Sequence, residues 1–249
     1  MRHGSLFSGI GGFDLAAEWM GWENVFQVEW DSFCQKVLAK NFPNVKRYGD
    51  IKEFDGRKYR GNIDIISGGF PCQPYSVAGK RKGKEDERHL WSEMLRIIGE
   101  IQPSWIVGEN VPGIINWSRG LVFDEIQNDL EVKGYKVFPI ILPACSIDAD
   151  HKRNRIWFVG NFPNSGSNGW GGNKKSKEII QTRREAFFVS HSCIESIQNK
   201  QIPEFNRKYN GISTGLDKNR IKALGNAIVP QVTYQIFKAI EQTDNVLKT

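Results

Sequence analysis

Short apolar runs alternate with amphipathic helical patterns through the first 160 residues, and that alternation narrows the fold more than any other feature. SLFSG (5–9), NVFQVEWD (24–31), IDIISGG (63–69), SWIVGEN (104–110), KVFPIILPA (136–144) and RIWFVGNF (155–162) read as strands. FDLAAEWMGW (13–22), SFCQKVLAKNF (32–42), LWSEMLRIIGEIQ (90–102) and LVFDEIQNDLEVKGY (121–135) read as helices between them. Ser32 is the expected cap of the second helix and Gly134 the stop of the fourth. Strands alternating with helices predict an α/β chain with a Rossmann-like, doubly wound, mostly parallel sheet covered on both faces. Ligands of such sheets bind at the carboxyl ends of the strands, so residues just past each run are the first candidates for function.

The periodicity lapses at NFPNSGSNGWGGNKKSKE and returns in RIKALGNAIVPQVTYQIFKAIEQ (220–242), which reads as one helix. The expected organisation is a core over 1–160, a short irregular insert over 161–218 and a C-terminal helix over 219–249 that returns to the core. Between Asn161 and Arg220 ten Lys/Arg face five Asp/Glu, so this stretch carries +5 of the net +6. GKRKGKEDER (79–88) is a second cluster with five basic and three acidic residues. Each alone reads as a solvated surface; together they point to an anionic partner. No basic leader with an apolar core opens the chain, and no apolar run approaches the ~18 residues of a membrane span, so a cytoplasmic chain without membrane contact is expected.

Cys34, Cys72, Cys145 and Cys193 are far apart, with no C-x-x-C pair and no histidine at zinc-finger spacing. Neither a disulfide nor a metal is expected. Cys72, in SGGFPCQPYS (67–76), is then core filler or a nucleophile, and Pro71 and Pro74 restrict the backbone on either side of it. Gly9, Gly11 and Gly12 follow the first strand, where they allow a ligand to approach the backbone and the helix start. Glu29 follows the second strand and suits two ribose hydroxyls. Trp30 beside it either stacks on an adenine ring or packs between strand and helix. Asp50, in YGDI, is placed to accept from an adenine amino group. Arg153 and Arg155, two apart before a strand, point to one face.

LFSGIGGFD, VEWD, GDI, GGFPCQPYS, GENVPG, HKRNRIWFVG and GNAIVPQV, in that order, resemble the motif set of the DNA cytosine-5 methyltransferases. The likeness covers residues 5–160 and about 220–240. It implies the S-adenosylmethionine-dependent methyltransferase fold, with the basic insert as the target-recognition region. It implies transfer of a methyl group from S-adenosyl-L-methionine, with no metal, to C5 of a cytosine flipped out of double-stranded DNA. Cytosine C5 is a poor nucleophile until a thiolate adds at C6, and Cys72 is the residue the family implies for that addition. Glu109 would protonate N3 with its pKa raised toward neutrality, and Asn110 would support its orientation. Arg153 and Arg155 would face the target base and its phosphates.

The donor set implied is Phe7, Gly9, Gly11, Gly12, Glu29, Trp30, Asp50, Ile51, Pro71, Leu90, Asn226 and Ala227, although Asn226 also reads as a cap of the last helix. Gln73, Ser76, Lys80 and Arg81 would meet the DNA, the last two in the family's mobile loop. A cognate restriction endonuclease is a further partner compatible with a bacterial or phage-encoded enzyme, and a monomer is the expected state. His151 stands where the family more often has glutamine, no match exists to its T-P-R-E-like helix start, and the insert of about 60 residues is short for it. A tRNA cytosine-5 methyltransferase and a non-catalytic nucleic-acid-binding relative are the competing readings.

Overall fold

The computed structural model describes residues 1–71, 90–147, 153–163 and 214–247, with backbone only at 214–217 and 247. Seven strands form one sheet in the order β3-β2-β1-β4-β5-β7-β6. They are β1 (Arg2–Leu6), β2 (Glu23–Val28), β3 (Lys46–Tyr48), β4 (Ile65–Gly69), β5 (Trp105–Asn110), β6 (Lys136–Pro143) and β7 (Asn154–Asn161). The first five run parallel, and β7 inserts antiparallel between β5 and β6. The doubly wound, mostly parallel sheet is therefore present, with one strand reversed.

The helices follow from apolar spacing. In α1 (Gly12–Trp19), Phe13, Ala16 and Ala17 are buried at i, i+3 and i+4. In α3 (Trp91–Ile101), Trp91, Met94, Ile97, Ile98 and Ile101 form one apolar stripe, which ends where Gln102 turns left-handed (φ 56) before Pro103. α4 (Leu121–Val132) stops before Gly134, whose φ of 92 suits glycine, as expected from the sequence. α2 (Ser32–Asn41) is capped by Asp31 rather than Ser32: the Asp31 carboxylate accepts from the amides of Phe33 and Cys34. Ser32 is already helical, and only the residue before it has the extended backbone that a cap requires.

The C-terminal segment is two helices, α5 (Thr214–Asn226) and α6 (Pro230–Leu247), not one. Proline fits the first helical turn but disfavours a helical residue before it, so Pro230 starts a new helix. α5 begins five residues before the expected boundary at 219.

Two apolar clusters cover the sheet. One gathers α3 and α4 with residues such as Ile66, Ile106, Ile156 and Phe158. The other gathers α1 and α6 over Ile65, Trp105, Val107 and Trp157. Phe237 of α6 stacks on Trp22 at 4.7 Å and lies against Phe13. The far end of α6 is tied to the amino edge of the sheet, where the Trp22 indole donates to Glu241 (2.8 Å) and the Trp105 indole to Asp244 (3.2 Å). The Met1 carbonyl lies at the same edge and accepts from the Glu23 amide (3.0 Å). No helix among the described residues is long and apolar enough to cross a membrane.

Candidate active site

A cleft of about 590 Å³ opens at the carboxyl edge of the parallel strands. Its walls come from the residues just past β1, β2, β4 and β5, from the start of antiparallel β7, and from α5. An antiparallel strand begins at the edge where its parallel neighbours end, which is how β7 brings Arg155 to this cleft.

The β1 turn is held in an unusual shape. Phe7, Gly9 and Gly11 all have positive φ (52, 55 and 89), and Phe7 pays the strain that glycine avoids. A Cβ on Gly9 would meet nothing closer than 4.0 Å, so its bare backbone faces the open cleft. Glu29 fixes this turn: its carboxylate accepts from Gly9 N (2.7 Å) and Asp31 N (2.8 Å). Burial raises the Glu29 pKa, and those amide bonds pull it back. Trp30 is 77% exposed in the cleft wall, which overturns the reading that packs it between strand and helix.

On the other side, Gly69 of β4 pairs with Glu109 of β5, and Glu109 stands opposite Trp157 of β7. Arg155, two residues before Trp157 on the same strand face, reaches diagonally to Glu109 with Nε 2.8 Å from Oε1. Burial nevertheless dominates and pushes the Glu109 carboxyl up to about 7, against the downward pull of Arg155 and Arg153. A Cβ on Gly69 would sit 3.3 Å from Glu109 Oε2, so glycine keeps the space beside that oxygen clear.

Of the expected site residues, Phe7, Gly9, Glu29, Trp30, Pro71, Leu90, Glu109, Asn110, Arg155 and Asn226 line this one cleft. Six do not. Gly11 and Gly12 make the helix start compact instead: a Cβ would collide with Phe42 at the first and with Ile228 at the second. Asp50 caps a short turn by accepting from Lys52 N (2.9 Å), and Ile51 is buried in the core beneath it. Ala227 lies beyond the wall, and its carbonyl accepts from Arg153. Arg153 itself turns to the α5–α6 connection, donating from Nη2 to Gly225 O (2.9 Å) and Ala227 O (2.6 Å).

Asn110 does not orient Glu109. Its Nδ2 donates to Phe70 O (3.0 Å) and its Oδ1 accepts from Val111 N (2.8 Å), so it fixes the chain leading into Pro71. Asn226 ends α5 four residues before α6 begins, so it is not the cap of the last helix. Cys72, Gln73, Ser76, Lys80, Arg81 and His151 lie outside the described residues.

The sequence reading missed Asp31, Phe33 and Cys34, at the start of α2, and the α5 wall. Cys34 is no rival nucleophile: burial, reinforced by Glu29 and Asp31, pushes its thiol up to about 12. The α5 wall had a visible signal, because Asn219, Lys222, Ala223 and Asn226 recur at i, i+3, i+4 and i+7. Lys222 crosses to Asp31 at 3.3 Å, joining this helix to the β2–α2 turn.

These features define a doubly wound α/β protein whose ligand cleft carries a buried acid–arginine pair at the strand ends. The chain belongs to the C-5 cytosine-specific DNA methylase family, which it matches over residues 1–211. It is 40% identical over 158 residues to the type II methyltransferase M.Eco47II of Escherichia coli, covering 62% of this chain and 38% of that one. It is 36% identical over 160 residues to M.HhaI of Haemophilus parahaemolyticus, covering 64% and 48%. The chain thus spans between about two fifths and a half of these relatives' length. Among solved structures, a prophage-encoded E. coli protein assigned as a DNA modification methyltransferase superposes with a TM-score of 0.56 at 29% identity, over 65% of this chain and 47% of that one. The Entamoeba histolytica methyltransferase EhMeth shares the fold at 18% identity, with a TM-score of 0.63 over 96% and 97% of the two chains.

Proposed function

We propose that this protein transfers a methyl group from S-adenosyl-L-methionine to C5 of a cytosine flipped out of duplex DNA, through a covalent Cys72–C6 adduct. The observation that carries this reading is the continuity of the cleft. Gly9, Glu29 and Trp30 line one side, and Pro71, Glu109 and Arg155 the other, so a nucleoside donor and a target base fit within one open space. Pro71 immediately precedes Cys72.

The donor set fits a nucleoside. The exposed Trp30 indole offers a stacking face, Glu29 a carboxylate at the turn, and Gly9 a bare backbone facing open space. Phe7, Leu90 and Asn226 complete the donor side. When bound, the donor would supply an electrophilic methyl group. Gly11 and Gly12 keep the start of α1 close against Phe42 and Ile228.

On the base side, the Cys72 thiolate adds at C6 and electron density moves toward N3, which makes C5 nucleophilic; once C5 is methylated, loss of its proton to solvent would expel the Cys72 thiolate and restore the ring. Glu109, whose pKa burial raises to about 7, can hold a proton near neutral pH and donate it to N3. Arg155 holds Oε1 by its Nε and leaves Oε2 beside Gly69 for the base. A cytosine inside a duplex cannot enter, so the base is flipped. The +5 stretch over 161–220 supplies phosphate contacts and reads the target sequence. One flipped base needs one pocket, so the acting unit is a monomer.

A duplex carrying 5-fluorocytosine at the recognised site, incubated with donor, should give an SDS-resistant adduct that Cys72→Ala abolishes. An undiminished adduct in the variant refutes the nucleophile. Bisulfite sequencing of DNA and tRNA from expressing cells separates the substrates: marks confined to tRNA would overturn the DNA reading, and marks on neither would favour a non-catalytic binding protein.

A further inference from the structure

Arg153 makes hydrogen bonds that a residue dedicated to the target base would not need. Its Nη2 donates to Gly225 O at 2.9 Å and to Ala227 O at 2.6 Å. Gly225 lies in the last turn of α5, where carbonyls have no partner within the helix and the helix end carries partial negative charge. A guanidinium answers both needs, and its one Nη2 bridges the carbonyls on either side of Asn226.

The same connection is located by two glycines. A Cβ on Gly12 would come within 2.6 Å of Ile228 O, and one on Gly69 within 3.2 Å of Ile228 Cδ1. The segment 225–228 therefore has a fixed seat between the α1 start and the end of β4, and Arg153 is the charged group that holds it there. Asn226, between the two clasped carbonyls, lines the cleft. Arg153 also has a positive φ (28), a backbone form that a side chain disfavours.

We propose that Arg153 is a positioning residue for the donor side of the cleft, acting through the α5–α6 turn, and not a contact to the target base or its phosphates. This rests on the proposed methyltransferase reading for the identity of the donor. Of the two arginines, Arg155 is then the one that touches Glu109 on the base side, while Arg153, just before β7, bears on Glu109 only through its charge.

Arg153→Gln and Arg153→Lys in the full chain test it. S-adenosylhomocysteine affinity would be measured by calorimetry without DNA, and KM for duplex at saturating donor. Deuterium uptake over residues 225–229 would be followed in parallel. Arg153→Gln should weaken the nucleoside by about tenfold or more, the loss of charge-assisted bonds to two carbonyls. Uptake over 225–229 should rise, and KM for DNA should change by less than about threefold, since the site is saturated with donor. Arg153→Lys should recover part of the donor affinity, because an ammonium still answers the helix end. Unchanged donor affinity with a raised KM for DNA would overturn the proposal. If the wild-type protein binds no S-adenosylhomocysteine, the methyltransferase reading fails by itself, and unchanged uptake in Arg153→Gln would separately refute the clasp.

Discussion

Two fully buried titratable groups beneath the β1 turn should titrate against each other. Asn24 Nδ2 donates to Asp14 O (2.9 Å), which directs Asn24 Oδ1 to His3 Nδ1 at 2.7 Å. That nitrogen therefore carries the proton, and Nε2 accepts from Ser67 Oγ at 2.7 Å, a neutral imidazole. Burial lowers the His3 pKa from 6.5 to about 4 and raises that of Asp14 from 3.8 to about 6, although Gln27 and Ser5 pull Asp14 down. His3, depressed, contributes stability that is complete above its unfolded pKa of 6.5 and is lost as pH falls toward 4. Asp14, raised, contributes stability complete below 3.8 and lost as pH rises through 6.

Each shift is about two units, or roughly 3 kcal/mol, and over pH 4 to 6 their slopes oppose. Asp14→Asn removes one of them. Its amide can still accept from Gln27 Nε2, which lies 3.0 Å from Asp14 Oδ1. Urea unfolding of both proteins from pH 4 to 7.5 gives the stability difference directly, and titrating groups that do not feel Asp14 cancel in it. Relative to wild type, the variant should be about 3 kcal/mol better off at pH 7 than at pH 4, because only wild type pays for a buried charge at pH 7. A difference that stays constant with pH would refute the burial argument.

Three further outcomes concern the cleft. Glu109→Gln should lower kcat by roughly 10²–10⁴-fold with S-adenosylhomocysteine affinity unchanged, since the loss falls on proton donation; a matching loss of nucleoside affinity, read by calorimetry, would place Glu109 on the wrong side. Trp30→Ala should weaken the nucleoside by roughly 10- to 100-fold, the value of stacking one base on an aromatic ring, measured by calorimetry without DNA. Gly12→Ala, whose Cβ would meet Ile228 O at 2.6 Å, should cost about 1–3 kcal/mol in urea unfolding and weaken the same nucleoside through the displaced α5–α6 turn.

Much of this architecture was legible from local pattern. β4 and β5 are buried apolar runs, and α1 and α3 carry stripes at helical spacing, so each declares itself within ten residues or so. β3 did not, because Lys46-Arg47-Tyr48 is three polar or half-polar residues that become a strand only by pairing with β2. The reversal of β7 was hidden for a related reason: direction within a sheet is decided by partners 50 residues away in sequence, not by the strand itself. At the site, residue identities were readable and their partners were not. Spacing predicts Arg153 and Arg155 on one face, yet Arg153 lies just before β7 with a positive φ, and one arginine pairs with a carboxylate while the other pairs with carbonyls more than 70 residues on. Asn110 was likewise placed at the right strand end and given the wrong neighbour.

The far end of α6 and the residue before β1 both lie at the amino edge of the sheet, tied there by the Trp22 and Trp105 indoles and by the Met1 carbonyl. The cleft occupies the opposite rim. If the proposed function holds, a sequence-reading module attached beside Met1 or the last turn of α6 would hang behind the rim that carries the cleft, and its linker would have to round the sheet before the module could share a duplex with it. Linker length, more than the affinity of the module, would set how far from its own site such a fusion could act.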